Sequence, residues 1–385
     1  MKKKISILLS IGLSAILLAA CGNLGSSSST STTTSTSDSS SSGYQTTGQT
    51  NDNDYTGVII NGKYKTSKSR GLGVTQNSDN LLNLKSFETG MTKISKAFFS
   101  TDDYIFREGQ ILSKSTLTNW LARKSSTNSS GLNPVDNGKT GETTRNPMYV
   151  QQIEEQDYMK ETSSGKLKLS GITIGIGMNR KDYYEKEEYG ATYSTSISKE
   201  EMIQQGKIAA AKVVARLRKK VGNNIPIVVC MFQQAEADSL VGGSFYAYTE
   251  VKSGSTISSW TDTNLASYVF PSTSTNSVPN DNDESAFETF ENKIKNFFPN
   301  LAGVTAQVQY KDSTLQGMHV NITTQFYSET EITSFTQYVA KAAKTYLPSG
   351  IPIDIEIKGS DGTVQSFLAR TAKGSSYYTH VFSSY

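Results

Sequence analysis

Cys21 follows Leu18, Ala19 and Ala20, a setting that gives its thiol one evident chemistry. A cysteine sulfur is the natural nucleophile to take a diacylglyceryl group as a thioether, and two alanines leave the preceding bond open to a peptidase. Upstream, Lys2, Lys3 and Lys4 make a basic start, and Ile5 to Leu18 is an apolar run broken only by Ser10, Gly12 and Ser14. This is the layout of an export signal, and it is shorter than the roughly 20 apolar residues a spanning helix needs. Leu18-Ala19-Ala20-Cys21 therefore reads as a lipobox, with cleavage expected between Ala20 and Cys21. Two acyl chains, at about 0.8 kcal/mol per buried methylene, give a durable anchor. The expected partners are a lipoprotein diacylglyceryl transferase, a lipoprotein signal peptidase and the membrane. The expected location is the extracytoplasmic face of the cell membrane, and no cofactor is expected beyond the covalent lipid on Cys21.

Other reactive groups are sparse. Once Cys21 is acylated, the second of the two cysteines, Cys230, has no disulfide partner, and its apolar surroundings from Ile225 to Phe232 read as those of a small buried hydrophobe. The two histidines, His319 and His380, have no companion at ligand spacing, so no metal site is expected. Ser196/Lys199 and Ser163/Lys166 match the Ser-x-x-Lys spacing without its partner motifs. Gly171, Gly175 and Gly177 fall within a strand pattern, where close packing explains them better than a phosphate loop. Asp52 to Gly57 opens like a calcium loop, but Lys63 stands where the closing glutamate belongs. Glu154, Glu155 and Asp157 read as solvated charges on a helix or edge strand, with Arg145 or Arg180 as ion-pair partners. No catalytic residue is expected. The positive hint is aromatic: Tyr183, Tyr184, Tyr246 and Tyr248, with Gln233 and Gln234, read as a binding surface for a peptide or glycan.

The elements that must position these groups follow from periodicity. Residues 1–20 form the signal, and 21–55, rich in Ser and Thr, form a tether too polar to bury a core. Coil statistics give that tether a span of about 30 Å. Residues 56–144 form an N-terminal α+β segment, in which Phe87 to Phe99 and Thr116 to Leu121 read as helices, Tyr104 to Ile111 as a strand and Ser125 to Thr144 as a polar loop. Beyond it a unit recurs. Ile172 to Met178 reads as a strand, Ser198 to Glu201 as a capping box, and Ile225-Pro226-Ile227 opens the next strand. Later, Met318 to Tyr327, Ser328 to Glu331 and Ile351-Pro352-Ile353 repeat the order, and Ser244 to Ala247 is matched by Ser366 to Ala369. Ile203, Ala210, Val214, Leu217 and Val221 line one helix face; Ile332, Phe335, Val339, Ala343 and Tyr346 line the other. The fold class is α+β: two strand-helix-strand-strand units with mainly antiparallel sheets, over 145–270 and 286–385, joined by a polar linker at 271–285.

The lipobox, the segments Arg145 to Val150 and Glu154 to Tyr158, the strand Gly171 to Asn179 followed by Tyr183-Tyr184, and Phe287 to Pro299 together resemble the CamS-type sex pheromone lipoproteins of Gram-positive bacteria. The resemblance covers the exported body from about Tyr55 onward. It implies that a peptide cut from the leader just before the lipidated cysteine, here Ser14-Ala15-Ile16-Leu17-Leu18-Ala19-Ala20, is released as a pheromone that promotes plasmid transfer. In this sequence the aromatic position of that peptide is aliphatic.

Charge narrows the function classes. The formal net charge is +3, and the leader carries three lysines and no acid, so the exported part is near neutral. Such a chain has no electrostatic route to nucleic acid. Two readings of the body remain: a non-catalytic binding module, or a cell-envelope enzyme acting on wall polymer through paired carboxylates.

Overall fold

The computed structural model describes residues 43–51, 53–72, 80–272, 277–297, 303–326 and 328–383. The signal, the leader peptide Ser14 to Ala20, Cys21 and the tether up to residue 42 lie outside them, as do Asp52, Tyr327 and residues 273–276 of the polar connection.

Three short strands, β1 (Gln45–Thr46), β2 (Val58–Ile60) and β3 (Lys63–Tyr64), form a small antiparallel sheet. Helix α1 (Leu81–Ser95), capped by Asn80, precedes β4 (Ile105–Glu108) and α2 (Lys114–Leu121). The first large sheet then assembles from β4, β5 (Val150–Glu161), β6 (Leu167–Met178), β9 (Ile227–Gln233), β10 (Ser244–Val251) and β11 (Thr261–Asp262), adjacent in that order. A ribbon of β7 (Lys181–Glu185) and β8 (Thr192–Ser196) leads into α3 (Lys199–Val221), which crosses from β6 to β9 and makes those two strands parallel. All other pairs in the sheet are antiparallel.

The second large sheet repeats this plan. β12 (Leu265–Phe270), β13 (Gly303–Lys311), β14 (Thr314–Thr324), β15 (Ile353–Gly359), β16 (Val364–Arg370) and β17 (Tyr378–Val381) are adjacent in that order. Helix α4 (Asp281–Lys295) opens inside the polar connection, and α5 (Glu329–Tyr346) crosses between the parallel strands β14 and β15. The anticipated repeat is visible atom by atom at the paired Ile-Pro-Ile segments. Ile172 donates its amide to the Pro226 carbonyl at 3.0 Å, and Met318 donates to that of Pro352 at 3.1 Å. Ser198 and Ser328 cap their helices as expected, and Glu331 completes a reciprocal box with Ser328.

The units differ in how many sheet faces they cover. On the first sheet, Ile172, Ile174, Ile176, Ile227, Val229 and Met231 pack under α3. The opposite face is also covered, by α1, whose Phe87 and Met91 join Tyr158, Val228, Cys230 and Phe232. The glycines of β6 permit this. A Cβ at Gly171 would run into the Phe99 ring, and one at Gly175 would come within 2.5 Å of the Phe87 ring. In the second unit α4 and α5 share one face, with Phe287, Phe290, Phe335 and Val339 over Val308, Val320 and Ile355. Its other face carries Gln307, Gln309, His319 and Asp354, and Gln307 Nε2 donates to the Leu240 carbonyl at 2.7 Å. Each buried Phe contributes roughly 2 to 3 kcal/mol of apolar burial, so the aromatic layer between α1 and the first sheet is a principal fastening of that helix.

Candidate functional site

Parallel strands end side by side, and the crevice beyond their carboxyl ends is where open sheets commonly hold ligands. β6 and β9 end together at Met178 and Gln233, and the Gln234 amide donates to the Met178 carbonyl at 2.9 Å. The first turn of α1 staples the loop that follows. Asn80 Nδ2 donates to the carbonyls of Glu236 and Ser239, while Asn83 Oδ1 accepts the amides of Ala235 and Gly243, each at 2.9 Å. From the β6 side, Asn179 Nδ2 donates to the Met148 carbonyl at 2.9 Å. Asp182 is buried against Arg145 at 2.5 Å and accepts the Met148 amide at 2.7 Å. These groups enclose a pit of about 100 Å³ lined by Asn80, Asn83, Asn179, Asp182, Tyr183 and Gln234.

The pit adjoins an open concavity of about 820 Å³ formed by Tyr183, Tyr184, Glu185, Thr192, Ala237 and Asp238. Tyr183 OH accepts the Ala237 amide at 3.0 Å, joining ribbon and loop. The Arg145 guanidinium lies 3.9 Å from the centroid of the Tyr184 ring, which fixes that ring's orientation. At the floor, Gln234 Nε2 donates to Gln152 Oε1 at 3.1 Å. A side chain at Gly177 would bring its Cβ within 2.7 Å of Gln234 Nε2, so glycine there makes room for the amide.

Of the anticipated binding residues, Tyr183, Tyr184 and Gln234 meet here, whereas Tyr246 and Tyr248 do not. A bulge between Phe245 and Ala247 turns Tyr246 toward α3, where its hydroxyl is buried near Gly206. Tyr248 packs edge-on against Phe98 on the other face. Gln233 is half-buried and pairs through its backbone with Met178 and Ser244. Asn80 and Asn83 carried no signal in the sequence beyond a helix start, because their partners lie about 150 positions away in the chain.

A second cavity, of about 730 Å³, lies between β3, α1, β4 and β5, with Tyr64, Phe106, Glu88, Glu108, Glu154 and Glu155 among its walls. Here the expectation of solvated acids paired with Arg145 or Arg180 is corrected. β5 is hydrogen-bonded on both sides, so Glu155 and Asp157 are buried, at 5% and 0% exposure. Asp157 pairs with Arg107 at 2.6 Å, Arg145 goes to Asp182, and Arg180 Nε donates to the Ile197 carbonyl at 2.8 Å. Glu155 accepts the amides of Gln110, Ile111 and Leu112, the last at 2.6 Å. Burial pushes Glu155 up to about 8, aided by Asp157 and opposed by the Leu112 and Ile111 amides. Burial, together with the Glu88 charge, also pushes Glu154 up to about 8, against a hydrogen bond from Gln152. Glu154, with one amide donor and no cation beside it, therefore holds its proton more firmly than a solvated carboxyl does.

His319 and His380 lie on β14 and β17, three strand spacings or about 14 Å apart, which separates them as ligands. Cys230 is fully buried, and burial alone raises its thiol far from reactivity. Among the described residues no cluster of His, Cys, Asp and Glu could hold a metal ion, and no helix is long and apolar enough to cross a membrane.

Fold and crevice together define a class: a duplicated α+β body with two matching six-stranded sheets and a polar crevice at the parallel strand ends of the first. The family described as "CamS sex pheromone cAM373 precursor" matches residues 64–376, and the chain belongs to that family. It is similar to the crystal structure of a sex pheromone precursor from Lactobacillus salivarius, at 67% identity and a TM-score of 0.87, over 89% of this chain and 100% of that one. It is also similar to the C-terminal domain of the sex pheromone staph-cAM373 precursor from Staphylococcus aureus, at 27% identity and a TM-score of 0.68, over 80% of this chain and 99% of that one. No curated protein matches the chain.

Proposed function

We propose that this chain is made as an extracytoplasmic lipoprotein, anchored through diacylglyceryl-Cys21, and that processing frees a fragment of its leader as a peptide pheromone promoting plasmid transfer. The observation that carries the reading is Leu18-Ala19-Ala20-Cys21, set behind a basic and then apolar leader in a chain of the CamS family. The folded body is a non-catalytic binding module whose ligand, a peptide or glycan, enters the crevice between ribbon and sheet. Mass spectrometry of membrane and culture supernatant tests the first part. An acylated N-terminus at Cys21 and an excreted fragment ending at Ala20 are expected. A Cys21→Ser chain that is equally membrane-retained and identically trimmed would sink the reading. For the signal itself, synthetic Ser14 to Ala20 is added to responder cells and plasmid transfer counted; no response at any concentration rejects the pheromone role.

One observation favours a second reading, an envelope enzyme acting on wall polymer. The cavity beside β5 sets Glu154, held near 8, close to Glu88, Glu108, Tyr64 and Phe106, and a proton-bearing carboxyl among acids and aromatics suits glycoside cleavage. Release of soluble fragments from purified wall material, lost in Glu154→Gln, would establish it over the binding reading.

A further inference from the structure

The crevice beyond β6 and β9 contains a group that packing alone does not satisfy. Gln234 is 6% exposed, and its Oε1 is buried without a hydrogen-bond partner although its Nε2 is engaged. Native interiors keep few such atoms, because an acceptor stripped of water and left unpaired is costly, and those that persist tend to mark a site. The surrounding side chains Asn80, Asn83, Asn179 and Asp182 are all more than nine-tenths buried. Asn80, Asn83 and Asp182 already hold the loop, the helix start and Arg145. The walls are thus tied in place, while Gln234 Oε1 is itself covered, so it meets a visitor's N–H or O–H when the Gln234 amide turns toward the pit.

Size and charge narrow the visitor. A pit of about 100 Å³ holds several water molecules, which is room for a hydroxymethyl or acetamido group. The adjoining concavity of about 820 Å³ accommodates rings. Its walls alternate two tyrosines with Glu185, Thr192 and Asp238, which suits a polyol with apolar ring faces better than an apolar peptide side chain. The nearby cations are committed, Lys181 to Glu236 at 2.5 Å and Arg145 to Asp182, leaving acids at the rim that disfavour an anion.

We propose that this crevice binds a neutral saccharide, one of whose hydroxyl or acetamido N–H groups donates to Gln234 Oε1 while a sugar ring lies in the concavity beside Tyr183. The inference rests on the reading of the body as a binding module and gives that module its ligand class. The full chain in detergent micelles is titrated by calorimetry with tetra-N-acetylchitotetraose, maltotetraose and tetra-alanine, with saturation-transfer NMR to map the sugar protons in contact. Binding of the acetylated sugar alone identifies the N–H as donor, and binding of both sugars identifies a hydroxyl; either result supports the site. Gln234→Met and Thr192→Trp should each weaken binding about tenfold or more. Thr192 is exposed on β8, so its variant blocks the concavity without entering the core and decides the matter if Gln234→Met fails to fold. The proposal is overturned if neither sugar binds at millimolar concentration, if both variants bind as the parent does, or if tetra-alanine alone binds. Cleavage of a bound sugar would overturn the non-catalytic reading and leave the saccharide site standing, whereas absence of binding leaves the lipoprotein reading intact.

Discussion

Arg107 Nη2 lies 2.6 Å from Asp157 Oδ2 at a point where the Asp157 side chain has no solvent exposure and that of Arg107 has 21%. Fifty residues separate them in the chain, and strand pairing brings them directly opposite. Removing one partner of a buried pair strands the other, at about 3 to 5 kcal/mol. Arg107→Met is expected to cost about 3 kcal/mol in urea unfolding, and Arg107→Met/Asp157→Leu to recover part of that loss. A single variant as stable as the parent would show that the pair does not hold β4 to β5.

The carboxyls of β5 give stability a definite pH slope. Burial raises Glu154 and Glu155 from about 4.5 to about 8, and Glu88 and Asp157 shift in the same direction. Between those values the folded chain holds protons that the unfolded chain has released, so stability falls as pH rises. The contribution is fully present below about 4.5 and lost by the time pH passes 8. Thermal unfolding from pH 5 to 9 should show Tm declining across this window, and Glu154→Gln should flatten the decline. A Tm that climbs toward pH 8 would contradict the assignment.

The repeat supplies its own control for packing. Gly171 and Gly317 occupy matching places, each one residue before the strand amide that bonds to the proline carbonyl of its unit. A Cβ at Gly171 collides with the Phe99 ring, while one at Gly317 meets Pro352 at an ordinary 3.5 Å. Overfilling a tight core costs about 1 to 3 kcal/mol. Gly171→Ala should therefore unfold at clearly lower urea, and Gly317→Ala should stay within about 0.5 kcal/mol of the parent. Equal costs at both positions would mean that the covered second face of the first sheet is not what demands glycine.

The contrast also shows which parts of the molecule the sequence discloses. The duplicated units were legible because a capping serine and an Ile-Pro-Ile opening are local signals that do not depend on distant residues. Glu155 and Asp157 read as solvated from the sequence, since a charged run declares its burial only through partners elsewhere, here Arg107 and the amides of residues 110–112. The crevice was half legible. Tyr183, Tyr184 and Gln234 sit within or just past strand ends, but Tyr246 looks like one of them in sequence because a one-residue bulge reverses side-chain direction without changing composition. Two covered faces on the first sheet have a trace in the glycines of β6, whose meaning depends on Phe87 of α1 and on Phe99 just beyond it.

Gln234 allows stability and function to be set against each other. If its unpaired Oε1 has no role, it is an uncompensated cost of about 1 to 3 kcal/mol that methionine, close in volume and without an acceptor, would relieve. Methionine also removes the Nε2 bond to Gln152, worth about 1 kcal/mol. The net expectation for Gln234→Met is a Tm equal to or a few degrees above that of the parent. A buried polar residue whose removal leaves the fold as stable or more so is retained for something other than folding, as strained or unsatisfied groups at binding sites are. A loss of more than about 2 kcal/mol in the variant would instead make Gln234 a structural residue, with the pit a packing defect that water fills.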